Sequence, residues 1–177
     1  MKYAITGHTS GIGKALFDHF SSQGHDCIGF SKRIGYDINN ASHREQIVNQ
    51  CVDYDVFINN AYSHSSNSQL FMLQEMYASW KNLNKIIINT SSRITEFSPD
   101  NSSIDQRYRT HKQEQDVFCL KKYSNPQVFN LKPGMVDTPR VMSYNHNKLA
   151  VEDIVKIISF VLDNRNAYKI TTLTVGL

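Results

Sequence analysis

The feature that most constrains the fold is a regular alternation, along the chain, of apolar runs with segments of helical periodicity. Residues 85–90 form an apolar run with little alternation, which is typical of a strand covered on both faces. Residues 151–164 instead carry an apolar stripe at helical spacing, formed by Ile154, Val155, Ile158, Val161 and Leu162. This alternation predicts βα units that build a parallel sheet with helices on both faces.

The same patterns divide the whole chain into predicted strands and helices. We expect seven strands, at about 2–6, 26–31, 34–37, 55–58, 85–90, 127–132 and 170–175. Helices are expected at about 10–24, 42–53, 68–83, 104–123 and 151–164. Ser42, with Glu45 three residues later, predicts a capping box at the start of the second helix. Because these elements use residues 1–177 with no linker or repeat, we expect one domain.

Composition excludes several classes of function. The formal net charge of +3 is too small to favour binding to nucleic acid or to an anionic membrane. No apolar run approaches the roughly 20 residues that span a bilayer, and no apolar leader precedes the first strand. The three cysteines and seven histidines show no spacing typical of a metal site. We therefore expect a cytoplasmic protein without a metal ion.

A glycine-rich turn, TGHTSGIG at residues 6–13, lies between the first predicted strand and the first helix. Glycines permit a tight turn and let the backbone approach a pyrophosphate, while the helix N-terminus offers N–H groups and a positive dipole end. In this position the turn predicts phosphate binding rather than a turn with glycines for backbone reasons alone. The candidate binding residues are Gly7, Thr9, Ser10, Gly11, Ile12 and Gly13.

The turn resembles the cofactor turn of the short-chain dehydrogenase/reductase family, and other family elements follow in the family's order. They are NNA at 59–61, two serines at 91–92, a Tyr-x-x-x-Lys and PGMVDT at 133–138. The resemblance implies a Rossmann-like doubly wound sheet of order 3-2-1-4-5-6-7 in an unusually short family member. It also implies an oxidoreductase that transfers a hydride between a nicotinamide cofactor and a small-molecule carbonyl compound or secondary alcohol.

The end of the second strand indicates the type of nicotinamide cofactor. Ser31, Lys32 and Arg33 supply a hydroxyl and two cations with no acid, which favours NADP(H), although NAD(H) is possible. The alternative is that the two cations belong to a solvated turn. The resemblance implies further cofactor contacts at Asp37, Ile38, Asn60, Ala61, Pro133, Gly134, Val136 and Thr138. Tyr62 departs from the family's N-N-A-G and places a ring where the backbone normally approaches the cofactor.

Tyr-x-x-x-Lys occurs three times, and the family order of the surrounding elements selects Tyr108 and Lys112 over Tyr77/Lys81 and Tyr144/Lys148. Residues four apart share one helix face, so a Lys112 cation can favour the phenolate of Tyr108 for general acid/base work. The resemblance implies that Lys112 also binds the nicotinamide ribose.

Two further catalytic residues are implied by the resemblance alone. Ser92, the second of the two serines, would bind the substrate oxygen, or the two serines are simply hydroxyls that cap a loop. Asn67 would organise a proton-relay water, or it is simply a helix cap.

Short loops distinguish this chain from most of the family. The segment 139–150 is too short for the usual helical lid, so the substrate site is expected to be open or completed by a neighbouring subunit. A homodimer or homotetramer that pairs through 67–83 and 104–123 would follow the family pattern. Two alternatives are a catalytically weak NADP(H)-binding sensor or scaffold, and a sugar-nucleotide epimerase or dehydratase that uses the same Tyr/Lys chemistry.

Overall fold

A computed structural model describes residues 1–97, 103–121, 125–145 and 147–177. Its strands are β1 (Lys2–Thr6), β2 (Asp26–Phe30), β3 (Val56–Asn59), β4 (Ile86–Thr90), β5 (Gln127–Pro133) and β6 (Thr172–Val175). Its helices are α1 (Gly11–Ser22), α2 (Ala41–Gln50), α3 (Ser68–Ser79), α4 (Ser103–Leu120) and α5 (Val151–Asp163). Of the helix predicted at 104–123, residues 122 and 123 lie outside the described ranges.

The strands form one parallel sheet in the order β2-β1-β3-β4-β5-β6. The direction in which strands are added reverses between β1 and β3. In an open α/β sheet, ligands bind in the crevice at the carboxyl ends of the strands beside such a reversal. The predicted doubly wound α/β fold is therefore confirmed, and the sheet itself indicates where a site should lie.

The brief strand predicted at 34–37 is replaced by a turn. Residues Lys32–Ile34 form a 3-10 turn that ends at Gly35, whose φ of 93° is in the left-handed region. Ile34 is 51% exposed and Tyr36 packs edge-on against Phe30, so the two apolar residues of the segment do not share a buried face in the sheet. The order of the remaining six strands, in the described part of the chain, is the predicted one.

The predicted capping box of α2 is also wrong. The helix begins one residue earlier than expected, and its N-cap is Asn40, whose Oδ1 accepts a hydrogen bond from the backbone N–H of Ser42 at 2.9 Å. Asparagine is among the best N-cap residues because its short side chain reaches back to this orphan donor. Ser42 is therefore inside the helix, where its hydroxyl donates to the same Asn40 oxygen.

Apolar side chains fill both faces of the sheet. Successive strand residues point to opposite faces, so Ile5, Ile58 and Ile88 pack towards α1 and α5, where Phe20 and Ile158 cover them. Their neighbours Ala4, Phe57 and Ile87 pack on the other face, which α2, α3 and α4 cover. The large buried side chains on that face include Trp80, Phe30, Phe57, Met72 and Met76.

Three buried asparagines cross the sheet side by side. Asn59, Asn89 and Asn130 occupy paired positions on β3, β4 and β5. The side-chain amide of Asn59 donates to Asn89 Oδ1, and that of Asn89 donates to Asn130 Oδ1, each at 2.9 Å. Asn130 in turn donates to Asp116 Oδ1 on α4 at 2.8 Å. We call this row the amide ladder.

The three cysteines are free thiols. Burial raises the pKa of the Cys51 and Cys119 thiols to about 12, so both are unreactive packing residues. The described residues contain no group of three or more His, Cys, Asp or Glu side chains placed to hold a metal ion. Within the same ranges, no helix is both long enough and apolar enough to cross a membrane.

Candidate active site

A cleft of about 940 Å³ opens at the carboxyl ends of the strands, where the sheet order reverses. It brings together Ser92, Tyr108, Lys112 and nearly all of the sequence-predicted cofactor residues. Those that line it are Gly7, Thr9, Ser10, Gly11, Ile12, Ser31, Lys32, Arg33, Asp37, Ile38, Asn60, Ala61, Tyr62, Pro133, Gly134, Val136 and Thr138. Gly13 and Asn67 are not among the lining residues.

The glycine turn is held against the ends of β2 and β3. Gly7 has a φ of 76°, and its N–H donates to Phe30 O at 2.7 Å. The hydroxyl of Thr6 accepts from the N–H groups of Asn60 and Ala61, both at 3.0 Å. At the start of α1, the N-cap Ser10 makes no side-chain cap hydrogen bond. The side chain of Ser10 therefore does not occupy the first N–H groups of the helix, whose residues Gly11 and Ile12 line the cleft.

Gly13 supports this turn without lining the cleft. A Cβ at this position would lie 2.7 Å from Asn60 Nδ2 and closer still to the carbonyl oxygen of Gly7. Its absence lets α1 pack tightly on the turn, which is the packing role of the last glycine in such motifs.

The end of the cleft beside β2 carries a hydroxyl and two cations. Ser31 is buried, and its Oγ has no hydrogen-bond partner among the described residues. Lys32 Nζ lies 3.0 Å from Asp37 Oδ2. The backbone N–H of Asn39, with help from Lys32, holds the pKa of Asp37 below its usual range. Arg33 adds a second cation to the same wall.

The opposite end of the cleft is built around a buried lysine. Lys112 Nζ donates to Gln69 Oε1 and to Thr90 O, both at 2.7 Å. It also lies 5.1 Å from the ring centroid of Tyr62 and 5.5 Å from that of Tyr108. Burial, assisted by the Arg140 cation, lowers the pKa of Lys112 to about 7. The ammonium is therefore close to its titration point at neutral pH.

Gln69 is the site residue that the sequence interpretation missed. Its side chain is fully buried, and its Nε2 donates to Asn59 O at 2.8 Å and to Thr90 O at 3.0 Å. These two acceptors turn Oε1 towards Lys112. A signal was present, because Gln69 stands at helical spacing with Met72, Leu73 and Met76 on the apolar face of α3.

The structure places Asn67 apart from the other predicted catalytic residues. It is the N-cap of α3 but makes no side-chain cap hydrogen bond. Its Nδ2 donates to Glu114, while its Oδ1 is buried without a partner among the described residues. Gln69, two residues later, is the α3 side chain that contacts Lys112, so the proton-relay role predicted for Asn67 stays a prediction.

The two adjacent serines have different partners. Ser91 is buried, and its hydroxyl donates to Asp116 Oδ1 at 2.5 Å. Ser92 caps the 3-10 turn Arg93–Glu96, and its Oγ accepts from the N–H of Ile94 at 3.3 Å. The Ser91 hydroxyl thus donates its hydrogen bond within the protein. Ser92 Oγ acts as an acceptor in its hydrogen bond with Ile94, which leaves its O–H group able to donate to a ligand.

Of the three Tyr-x-x-x-Lys pairs, one has both members on a helix and in the cleft lining. Tyr108 and Lys112 both belong to α4. Tyr77 packs edge-on against Phe118 beside the core. Tyr144 lines the cleft outside any helix, and its Lys148 lies 3.7 Å from Asp137.

Tyr62, the departure from the family pattern, forms part of the wall beside Lys112. Its ring meets that of Tyr108 edge-on at 4.9 Å between centroids, and its hydroxyl lies 3.2 Å from His111 Nδ1. Arg140 Cζ is 5.6 Å from the centroid of the same ring. Burial raises the pKa of Tyr62, so this phenol stays protonated at neutral pH.

No family model and no curated protein matches the sequence. The structure is similar to a 3-alpha-hydroxysteroid dehydrogenase from Pseudomonas sp. B-0831 complexed with NADH, with a TM-score of 0.78 and 16% identity over 99% of this chain and 95% of that one. It also resembles an alcohol dehydrogenase from the archaeon Thermococcus sibiricus complexed with 5-hydroxy-NADP, with a TM-score of 0.74 and 18% identity over 98% and 95% of the two chains. A short-chain dehydrogenase/reductase of unknown function from Caenorhabditis elegans, solved with cofactor, gives a TM-score of 0.74 and 17% identity over 99% and 93%. The chain therefore has the fold of the short-chain dehydrogenases and reductases.

Proposed function

We propose that the protein is an NADP(H)-dependent oxidoreductase that interconverts a carbonyl compound and a secondary alcohol. The observation that carries this proposal is the convergence of Ser92, Tyr108 and Lys112 on the cleft that the glycine turn opens. Ser92 follows β4, Tyr108 and Lys112 lie on α4, and the glycine turn follows β1, so their meeting is a property of the folded chain rather than of any one motif.

The residues present fit a nicotinamide dinucleotide. The glycine turn and the start of α1 offer backbone N–H groups to a pyrophosphate. Buried Ser31 Oγ and Thr90 Oγ1, in different parts of the cleft, lack partners among the described residues, so a ligand can satisfy both. Ser31, Lys32 and Arg33 would hold a 2′-phosphate, which favours NADP(H). The similar structures were solved with NADH as well as 5-hydroxy-NADP.

The proposed mechanism assigns one task to each catalytic side chain. A bound nicotinamide supplies the hydride in reduction and accepts it in oxidation. The Ser92 hydroxyl donates to the substrate oxygen and stabilises the charge that develops there. The Tyr108 phenol donates the proton to that oxygen in reduction and takes it back in oxidation. In its protonated form Lys112, 5.5 Å from the Tyr108 ring centroid, favours the phenolate electrostatically.

A nucleotide-binding sensor with weak catalysis is the second candidate. It is favoured by the bonding of Lys112, whose ammonium is already held by Gln69 and Thr90 and lies beside the Tyr62 ring. In that case the same cleft would bind NADP(H), and another protein would recognise the nucleotide-bound state.

The test is a calorimetric titration with NADPH and NADH, followed by turnover measurements. We expect the Lys32→Ala/Arg33→Ala variant to bind NADPH about 10- to 100-fold more weakly, with little change for NADH. Tyr108→Phe should bind NADPH normally but reduce carbonyl substrates about 10²- to 10⁴-fold more slowly.

Each of the other results has a definite meaning. If neither nucleotide binds, the glycine turn is only structural and the proposal fails. If NADPH binds but no carbonyl compound is reduced, the sensor is the better description. Full turnover by Tyr108→Phe would remove the assigned acid/base mechanism.

A further inference from the structure

Positive charge dominates the catalytic end of the cleft. Arg93, Lys112 and Arg140 all line it there. In the described part of the chain, the lining contains a single carboxylate, Asp37, which lies beside β2 and is paired with Lys32. A neutral carbonyl compound gives no reason for this asymmetry.

The carboxylates that flank the catalytic end are engaged by lysines. Glu96 and Asp116 lie 2.9 and 3.3 Å from Lys132 Nζ. Asp137 is 3.7 Å from Lys148 Nζ. Among the described residues, Arg140 donates a weak hydrogen bond to Tyr62 O at 3.5 Å and makes a cation–π contact with the Tyr62 ring.

Arg140 is placed to act on the reacting end of a ligand. Its Cζ is 5.6 Å from the centroid of the Tyr62 ring, and that ring packs edge-on against the Tyr108 ring, so one aromatic side chain separates Arg140 from the proposed acid. The Arg140 charge lowers the pKa values of both Lys112 and His64, after the larger effect of burial. A cation–π contact at this distance, with one weak hydrogen bond, leaves N–H donors of the guanidinium available for a carboxylate.

We propose that the substrate carries a carboxylate, which Arg140 binds while its carbonyl oxygen meets Ser92 and Tyr108. The proposal rests on the proposed oxidoreductase function. The substrate class is then an oxo acid or aldehyde acid, reduced to the hydroxy acid. Arg93, the residue after Ser92, adds positive charge to the same end of the cleft.

The test compares an acid with its own methyl ester. Reduction of 4-carboxybenzaldehyde and of methyl 4-formylbenzoate is followed by the loss of NADPH absorbance at neutral pH. The variants are Arg140→Gln, Arg140→Lys and, at the other end of the cleft, Arg33→Gln. We expect the wild type to prefer the acid, and Arg140→Gln to raise KM for the acid about 10- to 100-fold while changing KM for the ester less than about twofold.

The controls separate the substrate from the cofactor. Arg140→Lys should keep part of the preference because it keeps the charge without the planar fork. Arg33→Gln should weaken NADPH binding and leave the ratio of acid to ester unchanged. Equal use of acid and ester by the wild type overturns the proposal. So does an Arg140→Gln variant that loses NADPH affinity while its acid-to-ester ratio stays the same.

A binding measurement covers the case in which neither aldehyde turns over. Saturation-transfer NMR with 4-(hydroxymethyl)benzoate and its methyl ester is recorded with NADP⁺ and without nucleotide. Binding of the acid alone, lost in Arg140→Gln, supports the carboxylate site even if the oxidoreductase function fails. Binding of both compounds or of neither overturns the proposal.

Discussion

Lys112 shows how strongly a few neutral groups can control one charge. Its ammonium meets the Gln69 amide oxygen, the Thr90 carbonyl and two aromatic rings, and it is almost completely buried. Burial and the Arg140 cation lower its pKa to about 7, while the Asp116 carboxylate acts in the opposite direction. The orientation of the Gln69 side chain is therefore a positioning feature of the site.

We expect Gln69→Glu to raise the pKa of Lys112 by about one unit or more, because a carboxylate facing the ammonium favours its charged form. Lys112 would then stay protonated to higher pH, and any fall in turnover on its basic side should move up with it. The pKa is measured by NMR of labelled lysine side chains, with Lys112→Arg to assign the signal.

The exposed Gln113 on the same helix provides the matched variant, Gln113→Glu, which should move the pKa of Lys112 much less. An equal shift in both variants would mean that only the added negative charge matters, and not its position facing the ammonium.

Among the site residues, those whose relative positions depend only on neighbouring residues in the sequence could be predicted. Tyr108 and Lys112 are four apart on a helix, and the glycine turn is continuous, so neither depends on distant parts of the chain. Gln69 could not be assigned in the same way, because its role requires α3, β4 and α4 to meet. Arg140 follows a short loop, and its contact with Tyr62 joins the turns after β5 and β3.

Helix α2 shows how two adjacent capping signals can compete. Asn40 and Ser42 are both good N-cap residues, and the Glu45 that follows favoured Ser42. The structure uses Asn40, because Ser42 N–H and Ser42 Oγ both donate to Asn40 Oδ1 at 2.9 Å. Spacing alone could not decide between them.

We expect Asn40→Ala to lower the free energy of unfolding by about 1 kcal/mol, the usual cost of removing an N-cap side chain. Ser42→Ala should change it by less than about 0.5 kcal/mol, because substitutions of exposed side chains usually have small effects on stability. Urea unfolding followed by circular dichroism measures both. The reverse ranking would restore the capping box.

The other misplaced element, the strand predicted at 34–37, failed for a different reason. The segment contains Ile34 and Tyr36, which alternate as in a strand, but Gly35 in the left-handed region turns the chain back towards Ser31. Two apolar residues are too few for periodicity to outweigh a turn.

Across the whole molecule, the order of the strands could be predicted because successive βα units follow few topologies. Right-handed crossovers and short connections leave little choice once the elements are known. The side-chain hydrogen bonds that link neighbouring strands could not be predicted, since the amide ladder joins polar residues far apart in sequence. Asn59 and Asn89 lie at or near the ends of apolar runs and Asn130 lies inside one, and only the register of the sheet aligns them.

The ladder should behave as a unit in a double-mutant cycle. Asn89→Ala and Asn130→Ala should each lower the free energy of unfolding by about 1–3 kcal/mol, because each leaves a buried amide partner unsatisfied. Together they should cost less than the sum, with a coupling of about 1 kcal/mol. The control pair is Asn89→Ala with Asn164→Ala at the end of α5, which shares no partner and should be additive. Additivity in the first pair would show that the three amides act separately.

The ladder also bears on which wrong structures the chain can avoid. A strand of this sheet that slipped by one residue would carry its asparagine to the opposite layer, among apolar side chains and without a matching amide. Each such misaligned sheet would bury an amide without a hydrogen-bond partner, whereas the native alignment places each asparagine beside the next. The three asparagines should therefore disfavour mispaired sheets that hydrophobic contact alone would tolerate.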